Sequence, residues 1–327
     1  MTSKLRIDSR YLPIVVTLGL FILMFLVGSL RYTGFFSAQV FYNLLIDNAF
    51  LIVVAVGMTF VIVSGGIDLS VGSVIALTTM ISASLVQEHH VPPLVVIPLV
   101  LLVGTVFGWI MGSIIHYFEL QPFIVTLAGM FLARGLCYVI SIETITIDNP
   151  FYQHISQMKI PLPGGFISIS VVIALVVVAI AIYLAHYTRF GRAAYAIGGN
   201  EQSAVLMGLP VAKTKILVYM LSGFCSALAG VIVTFYMLSG YGLHALGLEL
   251  DTIAAVVIGG TLLTGGVGFV AGTLVGVCIQ GIIQTMIMFE GTLSSWWTKI
   301  AIGVLLFLFI VLQRVLTAGK KLNKLGA

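Results

Sequence analysis

Residues 187–215 read YTRFGRAAYAIGGNEQSAVLMGLPVAKTK. This is the longest polar interruption with a positive bias in a chain that is otherwise nearly all hydrocarbon. Arg189, Arg192, Lys213 and Lys215 bracket it. Inside lies a short helix with its own start and stop signals. Asn200 can cap the free amides of a helix over Glu201–Met207. Gly208 supplies a left-handed stop, and Pro210 prevents continuation. Two helical turns are marginal alone in water, so this helix needs a protein surface to dock against, either a partner's or that of its own membrane domain as a connector.

What the segment interrupts decides the fold class. The 327 residues are 60% hydrophobic and only 8% charged, whereas a soluble domain carries about a quarter charged residues. The chain therefore reads as an all-α, polytopic membrane protein forming one transmembrane domain over 1–327. Its length admits about ten spans of about 20 residues each. The net charge of +4 gives no reason to expect nucleic acid, because the cations cluster where topology needs them. Lys4, Arg6 and Arg10 precede the first apolar run, and Arg314, Lys320, Lys321 and Lys324 follow the last. The excess of Lys and Arg places both ends and the 187–215 loop in the cytoplasm. The run Tyr11–Leu30 is too long for a cleavable leader and precedes many further spans. Cys137, Cys225 and Cys278 sit within apolar runs without ligand-like spacing, and no metal is expected.

Two charge-poor stretches are each too long for one crossing, and each is broken by paired glycines. Leu44–Ser64 and Leu69–Val86 read as two spans joined by a tight turn at Gly65-Gly66. Gly265-Gly266 divides Thr252–Phe289 in the same way. SGGIDLSVG at 64–72 also echoes TGGVGFVAG at 264–272, with glycines matching at the second, third and ninth places. Repeated units are common in transporters.

Four residues stand out as candidates for a path or gate. Asp68 can cap the helix that follows it, or contact a transported molecule or a moving helix. Arg134 lies within an apolar span, where a guanidinium faces a partner or a wet cavity, or snorkels. Glu249 and Asp251 can cap their span or receive a cationic patch of an outer partner. No GxxxxGK[ST] loop occurs, so uphill movement would draw on an ion gradient or on a partner that hydrolyses ATP.

GGIDLSVG at 65–72, PFIVTLAGMFLARG at 122–135, RFGRAAYAIGGNEQSAVLMGL at 189–209 and ELDTIAAVVIGGTLLTGGVG at 249–268 together resemble the ribose-type permeases of bacterial ABC importers. The likeness runs from about residue 43 to 314, and GTLSSWWTKIAIGVLLF at 291–307 is most similar to the galactofuranose-importer permeases. The resemblance implies an inner-membrane sugar permease, itself without ATPase activity or cofactor. It implies three partners: a second permease, a cytoplasmic ATP-binding cassette subunit that uses the ATP, and a periplasmic sugar-binding protein. It also implies that the permease meets the ATPase through Arg189, Gly191, Arg192, Gly198, Asn200, Glu201, Ala204 and Gly208. A permease for another monosaccharide such as ribose, or for branched-chain amino acids, is an alternative cargo reading. An ion-coupled secondary sugar carrier is an alternative mechanism.

Overall fold

The computed structural model describes residues 12–294 and 296–325. Lys4, Arg6, Arg10 and Tyr11, where the first span was expected to begin, lie outside the described residues. The chain is helical almost throughout. Helices α1 (Leu12–Arg31), α2 (Ala38–Asp47), α3 (Ala49–Val63), α4 (Val71–Ala83), α5 (Pro93–Tyr117) and α6 (Pro122–Ile140) form its first part. Then come α7 (Pro150–Gln157), α8 (Ile169–Tyr187), α9 (Arg189–Gly199), α10 (Glu201–Leu206), α11 (Val211–Met237), α12 (Leu248–Ile258), α13 (Val270–Glu290) and α14 (Trp296–Leu325).

Among the described residues, seven helices are long and apolar enough to cross a membrane, and an eighth crossing arises if α2 and α3 count as one bent span. The ten spans expected from sequence are therefore not reached on length and composition. The shortfall has a physical cause. At about 1.5 Å per residue, the 15 residues of α3 and the 11 of α12 rise only about 22 and 16 Å, short of a hydrocarbon core of about 30 Å. The span expected over Leu44–Ser64 is found as two helices, α2 from Ala38 and α3 to Val63, with a 57° bend between them. Asn48 causes the bend. Its backbone leaves the helical region and its side-chain amide donates to the Leu44 carbonyl at 2.9 Å, displacing the regular ladder.

Helix α3 is apolar all round and almost wholly buried, as such a helix must be. It packs against α11, which also crosses α4 and α5. The α5–α11 crossing is close because of a run of small residues. Gly104, Gly108 and Gly112 recur every fourth position on α5, and a Cβ at Gly108 would lie 2.1 Å from the Tyr219 carbonyl oxygen. Gly104 and Gly223 face each other the same way. Lipid tails provide no hydrophobic drive between helices, so this kind of backbone approach is what holds a membrane bundle together.

The end of the molecule opposite α9 and α10 carries, among the described residues, four short strands. Strand β1 (Ile145–Thr146) pairs antiparallel with β4 (Ser239–Gly240), and β2 (Lys159–Leu162) pairs with β3 (Gly165–Ser168). Pro163 and Gly164, the latter at φ +81, make the two-residue hairpin turn. In the same connection Pro150 starts the eight-residue α7, capped by Asn149, which accepts from the Phe151 N–H at 2.9 Å.

Candidate functional site

The 187–215 segment carries two helices where sequence showed one. The expected short helix is present as α10, and Asn200 Oδ1 accepts from the Ser203 N–H at 2.7 Å. Gly208 stops it at φ +73, with its N–H on the Val205 carbonyl and that of Leu209 on Ala204. Before it, α9 had been read as loop. Its signal was available: Phe190, Ala193, Ala194 and Ile197 follow the i, i+3, i+4, i+7 pattern of an amphipathic helix. Thr188 caps it by accepting from the Gly191 N–H at 3.2 Å.

The apolar face of α9 rests on both glycine turns. Phe190 stacks on Phe60 of α3 with ring centroids 5.7 Å apart. Tyr195 donates from its hydroxyl to the Gly268 carbonyl at 2.7 Å. At Gly198 the backbones nearly touch. A Cβ there would lie 1.8 Å from the Val63 carbonyl oxygen and 2.7 Å from the Gly266 nitrogen. The Gly266 N–H in turn donates to the Val63 carbonyl at 2.8 Å, and a Cβ at Gly265 would lie 2.9 Å from the Gly65 nitrogen. Gly65-Gly66, Gly198-Gly199 and Gly265-Gly266 thus form one junction. The two turns also share geometry. Gly65 and Gly265 have φ of +83 and +82, and their N–H groups bond to Ile62 and Leu262 at 2.9 and 3.0 Å. The echo between 64–72 and 264–272 therefore has a structural counterpart, in which a short buried helix, a Gly-Gly turn and a second helix follow in that order.

The remaining residues of the segment divide by face. Gly191 lies against the last carbonyls of α8, and a Cβ there would sit 2.2 Å from the Ala185 oxygen. Arg189 and Arg192 are exposed. Glu201 is ion-paired within the chain, to Lys215 at 2.6 Å. Ala204, expected among the partner-facing residues, is fully buried against Ile197, Val211 and Leu209. It is the anchor of α10 and not its outer surface. That surface is Val205, Leu206 and Met207, exposed by 57%, 88% and 66%. Sequence reading did not single these three out, because periodicity over six residues cannot assign a face.

The path and gate candidates are not brought to one place. Asp68 is buried close to the junction and is fully engaged. It accepts from Ser70 N–H at 2.9 Å, Ser70 Oγ at 2.6 Å and Ser222 Oγ of α11 at 2.7 Å. It was expected to cap the helix that follows it, but α4 begins at Val71 without a side-chain cap; Asp68 instead holds Ser70, the residue before that helix, and ties it to α11. Asp68→Ala would remove the acceptor of three hydrogen bonds, leaving the Ser70 and Ser222 hydroxyls without it. The expected cost is about 3 kcal/mol, read as a lowered unfolding midpoint of the purified protein in detergent.

Arg134, Glu249 and Asp251 lie toward the strand-bearing end. Arg134 Nη1 donates to the carbonyls of Gly242 and His244 at 2.5 and 2.9 Å. Its partners are backbone oxygens, which no sequence pattern can disclose. Arg134→Ala is expected to loosen the 239–247 loop at a cost of about 2 kcal/mol, measurable as faster proteolysis there. Glu249 keeps Oε2 buried beside Gly72, without a hydrogen-bond partner among the described residues. Asp251 pairs with Lys299, and its backbone carbonyl accepts from Gln280 Nε2 at 2.9 Å.

Comparison with known proteins agrees with this architecture. Residues 40–310 match the family described as branched-chain amino acid transport system/permease component. The chain is 54% identical to the inner membrane ABC transporter permease protein YjfF of Escherichia coli, covering 94% of this chain and 93% of that one. It is 39% identical to the fructose import permease protein FruG of Bifidobacterium longum, over 96% and 94% of the two chains. It is also 39% identical to the ribose import permease protein RbsC of Haemophilus influenzae, over 98% of each. No solved structure matches the chain. With the family match covering most of its length and these relatives matching end to end, the chain belongs to the branched-chain amino acid transport system/permease component family, as a ribose-type ABC permease.

Proposed function

We propose that this chain is one of two membrane subunits of an ATP-driven, binding-protein-dependent importer in the bacterial inner membrane, with galactofuranose as its cargo. The observation that carries the mechanism is α10. Its inner side is anchored through Ala204, while Val205, Leu206 and Met207 stand exposed, and the cations Arg189 and Arg192 of α9 are exposed as well. An exposed apolar cluster on a polar segment is the mark of a docking surface. A short helix presenting such a cluster suits a groove on a cytoplasmic ATP-binding cassette subunit. The permease hydrolyses no ATP and binds no cofactor of its own.

In this reading the 187–215 loop and both termini are cytoplasmic. With α12 and the apolar start of α14 each counted as a crossing, the topology has ten spans. Loaded binding protein docks on the strand-bearing end. ATP binding and hydrolysis move the docked ATPase, α10 follows, and α9 passes the displacement to the glycine junction. Each nucleotide state then biases the paired permeases toward an outward or inward opening. Galactofuranose is supported by the likeness of residues 291–307, and of the chain as a whole, to the galactofuranose-importer permeases. Ribose and fructose are the alternative cargoes, because the relatives at 39% identity are named for them.

The test is uptake of labelled galactofuranose into proteoliposomes holding both permeases and the ATPase, with binding protein outside and ATP sealed on the ATPase side. Uptake that needs ATP, binding protein and this chain supports the reading. Uptake driven by an ion gradient without the ATPase overturns it.

A further inference from the structure

Two adjoining cavities lie toward the strand-bearing end, away from α9 and α10. One, of about 370 Å³, is lined by Asn48, Gln280, Gln284, Trp296 and Lys299 among others. The second, of about 320 Å³, includes Tyr236 and His244. Phe50, Leu248 and Asp251 belong to both walls, so they form one continuous groove. Its position is set by features already described: the bend at Asn48, the start of α12 and the start of α14.

The lining chemistry is specific. Asn48 and Gln280 are 94% and 97% buried, so their amides form part of the cavity floor. The Nε2 of Gln280 donates to the Asp251 carbonyl. No other hydrogen bond of this side chain is found among the described residues, which leaves its carbonyl oxygen as an acceptor at the cavity wall. Asp251 and Lys299 are paired to each other, so the polar groups sit without net charge in a wall otherwise built of apolar side chains such as Phe50, Leu51, Leu248 and Ile302. A free anion would meet Asp251, and a free cation would meet Lys299. Trp296, 74% exposed at the rim, offers a flat amphipathic face. Volumes at the lower end of the ligand-pocket range suit a one-ring molecule.

We infer that this groove is a binding subsite for a neutral, polyhydroxylated ligand of monosaccharide size. Ligand hydroxyls would bond the amide floor and the Asp251–Lys299 pair, and one apolar sugar face would lie on Trp296. The inference rests on the importer reading and adds to it, since it gives the permease a sugar contact of its own beyond the selection made by a binding protein.

The test uses the assembled transporter in proteoliposomes. Cys137, Cys225 and Cys278 are buried, so a single introduced thiol can be followed with an impermeant maleimide. Gln284→Cys places it on the groove wall, and Gln157→Cys places a control on exposed α7. Galactofuranose, ribose, fructose and leucine are titrated without binding protein. We expect galactofuranose or another of the sugars to slow labelling of Gln284→Cys by about threefold at twice its dissociation constant, with Gln157→Cys unchanged. Gln280→Leu is expected to remove that protection, and Gln280→Glu to restore part of it. Equal labelling with and without every sugar, in a transporter that imports one of them, overturns the subsite alone. Protection by leucine and by no sugar overturns the ligand class. Absence of ATP-driven sugar import in the unmodified complex overturns the importer reading, and the subsite falls with it.

Discussion

Gly198→Ala is expected to lower ATP-driven uptake by on the order of ten- to a hundredfold, while the protein still inserts and can be purified. The added Cβ would fall 1.8 Å from the Val63 carbonyl oxygen and 2.7 Å from the Gly266 nitrogen. Both atoms are backbone, so no side-chain rotation relieves the overlap. The turns must separate, and the Gly266 N–H to Val63 bond that joins them must lengthen. Overpacking of this kind costs about 1–3 kcal/mol. The cost falls where α9 meets both glycine turns, which is the route assigned to ATPase movement. The neighbouring glycine supplies the control. A Cβ at Gly199 meets nothing within 4 Å, so Gly199→Ala is expected to transport normally. Sugar uptake and binding-protein-stimulated ATP hydrolysis, measured together on both variants, check this. Equal loss in the two variants would show that the junction is not the sensitive element.

Leu206→Asp is expected to abolish co-purification of the ATP-binding subunit while leaving the permease as stable as before. Leu206 is 88% exposed, and surface substitutions of this kind change stability by about 0.5 kcal/mol or less. Placed at the centre of a docked apolar cluster, the same change costs about 2 kcal/mol or more of binding, or roughly thirtyfold in affinity. Ala204→Glu gives the contrasting outcome. With Ala204 fully buried, it inserts an unpaired carboxylate beneath α10 and disturbs both. Detergent unfolding midpoints alongside pull-down of the ATPase separate the two variants.

Much of this was legible in the residues themselves. Asn200 and Gly208 located α10 because capping is a local property, decided within a few residues. The two paired glycines marked their turns for the same reason. The residues that meet across the bundle were less accessible. Gly198 read as part of a loop, and its contact with residues 63 and 266 depends on how three separate segments pack. The half-length of α3 was hidden inside an apolar run that hydropathy cannot divide, whereas Gly265-Gly266 already divided the run that holds the short α12. The partners of Arg134 are carbonyls, which every residue possesses. The fourfold spacing of Gly104, Gly108 and Gly112 was visible in the sequence, and it marks the close face that α5 turns to α11.

The most direct test of the coupling account is photo-crosslinking from position 206, with a benzophenone amino acid replacing Leu206 in membranes that also contain the ATP-binding subunit and the second permease. The account predicts one dominant adduct, to the ATP-binding subunit, with a yield that changes between the ATP-bound and nucleotide-free states. An adduct only to lipid or to the second permease, in membranes that still import sugar, would contradict it.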